Sequence, residues 1–192
     1  MLDIILFHSV LGLRPVEHRA ADRLRAAGHR VTTPDLYAGE VASTLDAGFA
    51  LNDRIGWPVV EQRARDALRE LPGDTVLAGF SMGASVVDAL LPDRPDTAAV
   101  LLLHNTAGIP ATARAGLPVH LHVADPDPFV PDPAGWLRDA TTAGAAAEVF
   151  TYPGAGHFYV DADLPDHDEQ AAALTWERVL EFLRTVRRTP HR

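Results

Sequence analysis

A chain of 192 residues, 47% of them hydrophobic, is long enough to bury one sizeable core and slightly large for an average single domain. Its net charge of −9 provides no broad positive field, which argues against a polyanionic partner such as nucleic acid. The absence of cysteine excludes disulfides, thiolate metal sites and a thiol nucleophile, and makes cytoplasm the default compartment.

The opening MLDIILFHSV has no basic leader, and its apolar run is too short to span a bilayer, so Asp3–His8 is predicted as a first β-strand. Pro15–Ala27 follows as a helix: it has proline in its first turn, Val16, Ala20, Leu24 and Ala27 at helical spacing, and Gly28 at its end. His29–Thr33 is a second strand. Pro58–Leu71 is a second helix, preceded by the segment AGFALND and Arg54. Arg54 is a candidate carboxylate binder there, with an ordinary solvated arginine as the competing reading.

The apolar run Asp74–Phe80 is a third strand, and Met82–Leu91 is a helix directly behind it. Further strands are expected at Ala98–His104, Val119–Ala124 and Ala147–Tyr152, with a helix at Pro133–Thr142. Near the end Asp166 and Glu169 resemble a capping box, and Ala172, Trp176, Val179, Leu180 and Leu183 form the apolar stripe of a long last helix. The preceding DADLPDHDEQ reads as an acidic, solvated lead-in, and the basic tail 187–192 as a frayed end. Apolar strands alternating with helices imply an open, mostly parallel α/β sheet with helices on both faces.

Between the third strand and its helix lies GFSMG, a G-x-S-x-G pattern whose Ser81 falls on a strand-to-helix turn. Such a turn strains the serine backbone and demands small residues at Gly79 and Gly83. It also sets Ser81 at a helix N-terminus, where the Met82 N–H is available to a developing oxyanion. A serine hydroxyl needs a base, and the base needs an acid to fix its tautomer. His157 follows the sixth strand in a glycine-rich loop, and Asp125 and Asp127 follow the fifth. Each candidate sits at the C-terminal end of its own strand, and the chain order Ser, Asp, His is that of α/β-hydrolases.

His8 and His104 end apolar strands without any metal-ligand spacing, so both are expected as hydrogen-bonded structural residues, with His8 bracing the turn after the first strand. His120 and His122 share one face of a strand and are expected to pack beside helices. Trp57, Phe129, Phe158 and Tyr159 flank the site in sequence as pocket or core residues.

The segments FHSVLGLRPVEHRAADRLRAAGHRVTTPDLYAGE, GFSMGAS, DPDPFVP and YPGAGHFYVD together resemble the dienelactone hydrolase family through nearly the whole chain. The resemblance implies one α/β-hydrolase domain over 1–186 and selects Asp127, separated by two residues from Val130-Pro131 in DPFVP, over Asp125 as the acid. It also implies a second oxyanion donor at the backbone of Val10. The best-known members use a cysteine nucleophile activated by a glutamate in the opening turn. Here those positions are Ser81 and Ser9, which points to a conventional serine hydrolase with His157 as base. The expected substrate is a small carboxylic ester or lactone, with no cofactor or metal, no membrane and a possible homodimer. A thioesterase or peptidase with the same catalytic residues, and a non-catalytic binding module, are the alternatives.

Overall fold

The computed structural model describes residues 1–186, so the expected frayed tail 187–192 lies outside the described residues. Six strands form one sheet in the order β2-β1-β3-β4-β5-β6, and every neighbouring pair is parallel. They are β1 (Asp3–Phe7), β2 (Arg30–Thr32), β3 (Val76–Phe80), β4 (Val100–Leu103), β5 (Pro118–Asp125) and β6 (Ala146–Pro153). The three central strands are wholly buried because both sheet faces are covered.

Alternation along each strand divides the core in two. Ile5, Phe7, Leu77, Leu102 and Leu121 meet α3 (Trp57–Arg69) and α4 (Met82–Leu90). Ile4, Leu6, Ala78, Leu101 and Leu103 meet α1 (Pro15–Ala26) and α6 (Glu169–Thr185) on the other face. α5 (Pro133–Thr142) lies beside β6. No helix among the described residues is long and apolar enough to cross a membrane.

Three features of the fold depart from the sequence reading. The segment 45–55 forms a further helix, α2 (Leu45–Ile55), capped by Thr44, whose hydroxyl accepts from Ala47 N at 3.3 Å. The cap of α6 is Asp168 rather than Asp166, with its Oδ1 accepting from Gln170 N at 3.0 Å and Ala171 N at 2.9 Å. Asp166 is unavailable because its Oδ2 accepts from Phe158 N at 3.1 Å, bracing the loop that follows β6.

That lead-in is also less solvated than its composition suggests. Asp161 is buried and pairs with Arg14 at 2.9 Å, tying the last loop to the start of α1. Chain order reverses direction between β1 and β3, which opens a crevice at their C-terminal ends.

Candidate active site

Ser81 sits in that crevice, at φ +49 and ψ −107 between β3 and α4. This conformation is costly for a residue with a Cβ, and the surroundings hold it in place. Ser81 N donates to Leu103 O at 2.7 Å, and Ser81 O accepts from Ala84 N at 2.9 Å. A Cβ at Gly79 would lie 2.2 Å from Gly83 O, and one at Gly83 would lie 2.4 Å from Phe7 O. The two glycines of the motif are therefore what lets α4 settle directly on the ends of β1 and β3.

The hydroxyl of Ser81 lies 3.1 Å from His157 Nε2. The other ring nitrogen, Nδ1, lies 2.8 Å from Asp127 Oδ2 and 3.1 Å from Oδ1. All three residues are buried. Asp127 is further fixed because its Oδ1 accepts from Phe129 N at 2.9 Å. Asp125, the other aspartate of that loop, is exposed at the end of β5. A carboxylate on one side of the imidazole fixes the Nδ1–H tautomer and leaves Nε2 free to accept the serine proton.

The turn after β1 is built around two buried polar groups. His8 Nδ1 donates to Ser9 O at 2.7 Å, while its Nε2 accepts from Leu36 N at 3.0 Å. Burial keeps this ring neutral, its pKa pushed down to about 4. Glu17 reaches back from α1 to accept from Ser9 N at 3.3 Å and Arg14 N at 2.9 Å. Burial raises its carboxyl pKa to about 7. Ser9 Oγ accepts from Leu11 N at 3.3 Å, so its hydroxyl serves the turn rather than the cavity.

With Ser9 N and Leu11 N committed, Val10 N and Met82 N donate no hydrogen bond among the described residues. Val10, Ser81 and Met82 line one cavity of about 480 Å³. Its walls carry Phe49, Trp57 and Phe129, and Asn52, Ser85 and Asn105 supply its polar groups.

Of the four aromatics flagged by sequence, Trp57 and Phe129 thus face the cavity, whereas Phe158 and Tyr159 are core residues of opposite sheet faces. Arg54 pairs with Glu40 at 2.5 Å, and borders a different surface depression, away from Ser81. His104 is fully buried but has no hydrogen-bond partner at either ring nitrogen among the described residues, so it is not the hydrogen-bonded residue expected. It packs by its edges against His157 and Tyr159, and burial holds its pKa well below the usual value. His120 stacks on Phe182 of α6 at 3.8 Å between ring centroids, as packing beside a helix requires, whereas His122 Nδ1 is 2.9 Å from the Tyr152 hydroxyl of the neighbouring strand β6.

Phe49, Asn52, Ser85 and Asn105 were not identified from sequence. Ser85 lies one helical turn beyond Ser81, and Asn105 follows β4 at the same sheet edge as the other site residues. That periodicity and that edge were the available signals. Asn105 Nδ2 reaches Ser85 Oγ at 3.3 Å and Ser81 O at 3.4 Å, so these polar groups form one connected floor.

The family model that matches this chain is the dienelactone hydrolase family, over residues 1–187. No curated protein matches it in sequence. Among solved structures, it is similar to a Klebsiella pneumoniae protein assigned as a dienelactone hydrolase, at 19% identity and a TM-score of 0.73, covering 95% of this chain and 86% of that one. A dienelactone hydrolase-like promiscuous phosphotriesterase, P91, from metagenomic libraries matches at 20% identity and TM-score 0.71, covering 97% and 87%. The esterase PE8 matches at 17% identity and TM-score 0.61, covering 97% and 93%. At these identities the likeness is one of fold.

Proposed function

Because the chain belongs to the dienelactone hydrolase family, we propose that it is a serine hydrolase that cleaves small carboxylic esters or lactones through an acyl-enzyme. The observation that carries this reading is the unbroken chain from Ser81 Oγ to His157 Nε2 and from His157 Nδ1 to Asp127, with the serine on a strained elbow. Ser81 takes the position of the cysteine nucleophile in the best-known members, and Ser9 that of its activating glutamate, so His157 serves as base throughout.

His157 Nε2 accepts the Ser81 proton as Oγ attacks the substrate carbonyl. The resulting oxyanion is received by the N–H groups of Met82 and Val10, both without another acceptor and both beside Ser81. The imidazolium, stabilised by Asp127, then returns the proton to the departing alkoxide, leaving an ester between Ser81 and the acyl group. Water enters, gives its proton to Nε2 and attacks that ester, and Ser81 leaves with the proton restored. The acid departs and the enzyme is regenerated.

Intact-mass measurement after treatment with a fluorophosphonate tests the reading. One adduct on the wild-type protein and none on Ser81→Ala is the expected result. A folded wild type that takes up no adduct overturns it, and a non-catalytic module on the same fold takes its place.

A further inference from the structure

We infer that the site takes neutral esters or lactones bearing an aromatic or comparably bulky apolar group, bound by Phe49, Trp57 and Phe129, and that it rejects substrates carrying a carboxylate. This rests on the serine-hydrolase reading above and adds to it the class of substrate.

Three observations converge. First, the cavity's walls are rings. Phe49 comes from α2 and Phe129 from the loop that carries Asp127, and their centroids stand 6.3 Å apart at 44°. Both rings are unusually open to solvent for phenylalanine, at 45% and 42%, although most of the chain's large apolar side chains are buried. Two such rings packed against each other at the cavity, with Trp57 also lining it, leave apolar area that a flat apolar group would cover.

Second, no lysine or arginine among the described residues lines the cavity to receive an anion. Among the described residues its polar side chains are the neutral Asn52, Ser85 and Asn105 together with the Ser81 hydroxyl, and the Val10 and Met82 N–H groups are assigned to the reacting carbonyl oxygen. Arg54, from the same helix as Phe49 and Asn52, is turned to Glu40 instead.

Third, the fixed charge beside the cavity is negative. Asp127 is buried behind His157, and the Phe129 ring lies 4.5 Å from the His157 ring. A substrate carboxylate would lose water there, gain no counter-ion and face the Asp127 charge, in a chain whose net charge is already −9. A neutral ring instead exchanges water for contacts with the exposed faces of Phe49 and Phe129.

The test compares 4-nitrophenyl acetate, 4-nitrophenyl benzoate and the mono-4-nitrophenyl ester of terephthalic acid, whose ring carries a carboxylate. The expected kcat/KM for the carboxylated ester is below that for the benzoate by about a hundredfold. Phe49→Ala lowers the benzoate-to-acetate ratio of kcat/KM by about tenfold, since it removes one ring face. Phe49→Arg, checked by melting curve for its fold, raises the ratio of carboxylated to neutral ester.

Equal kcat/KM for the neutral and carboxylated esters, or an unchanged benzoate-to-acetate ratio in Phe49→Ala, overturns the inference while serine labelling stands. Loss of both labelling and turnover in the folded wild type overturns the hydrolase reading instead.

Discussion

Lowering the pH from about 7.5 to about 5 should destabilise this protein through histidines that are buried without charge, and His122 allows the effect to be isolated. Burial, aided by His120 and Arg178, pushes the His122 pKa down from 6.5 to about 3. A depressed histidine pKa costs nothing above 6.5, where both folded and unfolded chains are neutral. The cost appears as pH falls below 6.5, because the unfolded chain binds a proton that the folded one refuses. Integrated to pH 5, this amounts to about 2 kcal/mol for His122.

His8, with its pKa near 4, contributes a similar loss of about 2 kcal/mol over the same interval. Glu17 acts in the opposite direction. Its carboxyl pKa rises from 4.5 to about 7 on folding, so its stabilisation is full below 4.5 and is lost as pH climbs through 7. Acidification over this interval therefore recovers about 2 kcal/mol from Glu17. Urea unfolding of wild type and His122→Gln at the two pH values separates these contributions. The wild type should lose about 2 kcal/mol more than the variant between them. Equal losses would refute a buried, neutral His122.

Asp127→Asn should lower kcat by about 10⁴-fold, as loss of the tautomer-fixing acid does in comparable constellations, whereas Asp125→Asn on the exposed neighbour should leave kcat unchanged. Comparable losses in the two variants would contradict the assignment. Gly83→Ala forces a Cβ against Phe7 O and should cost about 1–3 kcal/mol in thermal or urea unfolding. An unshifted midpoint would show that α4 need not approach β1 so closely. Glu17→Ala strips Ser9 N and Arg14 N of their buried acceptor and should cost about 1–3 kcal/mol, with a fall in kcat as the Val10 turn loosens. A stability loss without any change in kcat would separate the turn from catalysis.

The central strands and the Ser81 elbow were legible because their signals are local: continuous apolar runs, a glycine on each side of the serine, and a helix start immediately behind it. The Asp127–His157 contact joins residues 30 apart in sequence. A parallel sheet delivers its strand ends to one edge, which brought both Asp125 and Asp127 into view, and the family resemblance selected Asp127 between them. α2 was hidden because Gly48 and Asn52 are weak helix formers and because only Gly48 and Leu51 of the helix are buried. Tertiary packing decides such a segment. Phe49 and Asn52 vanished from view with it. The cap of α6 was misplaced for a related reason: Asp166 and Asp168 both fit a helix start, and only the distant Phe158 N–H settles which of them is occupied elsewhere.

The packing of α2 has a consequence for how substrate contacts reach the reacting carbonyl. Gly48 lies so close to the turn after β1 that a Cβ there would stand 2.8 Å from Val10 O. That oxygen ends one of the two peptide groups flanking the Val10 α-carbon, and the Val10 N–H begins the other. Phe49 is the next residue along the helix, and Asn52 follows one turn later. In the proposed function, a group held by Phe49 would bear on a helix that abuts the turn assigned to the oxyanion. On the proposed mechanism this packing joins the apolar wall to the amide that would meet the developing charge, so contacts made far from the scissile bond would be expressed in the transition state rather than in ground-state affinity.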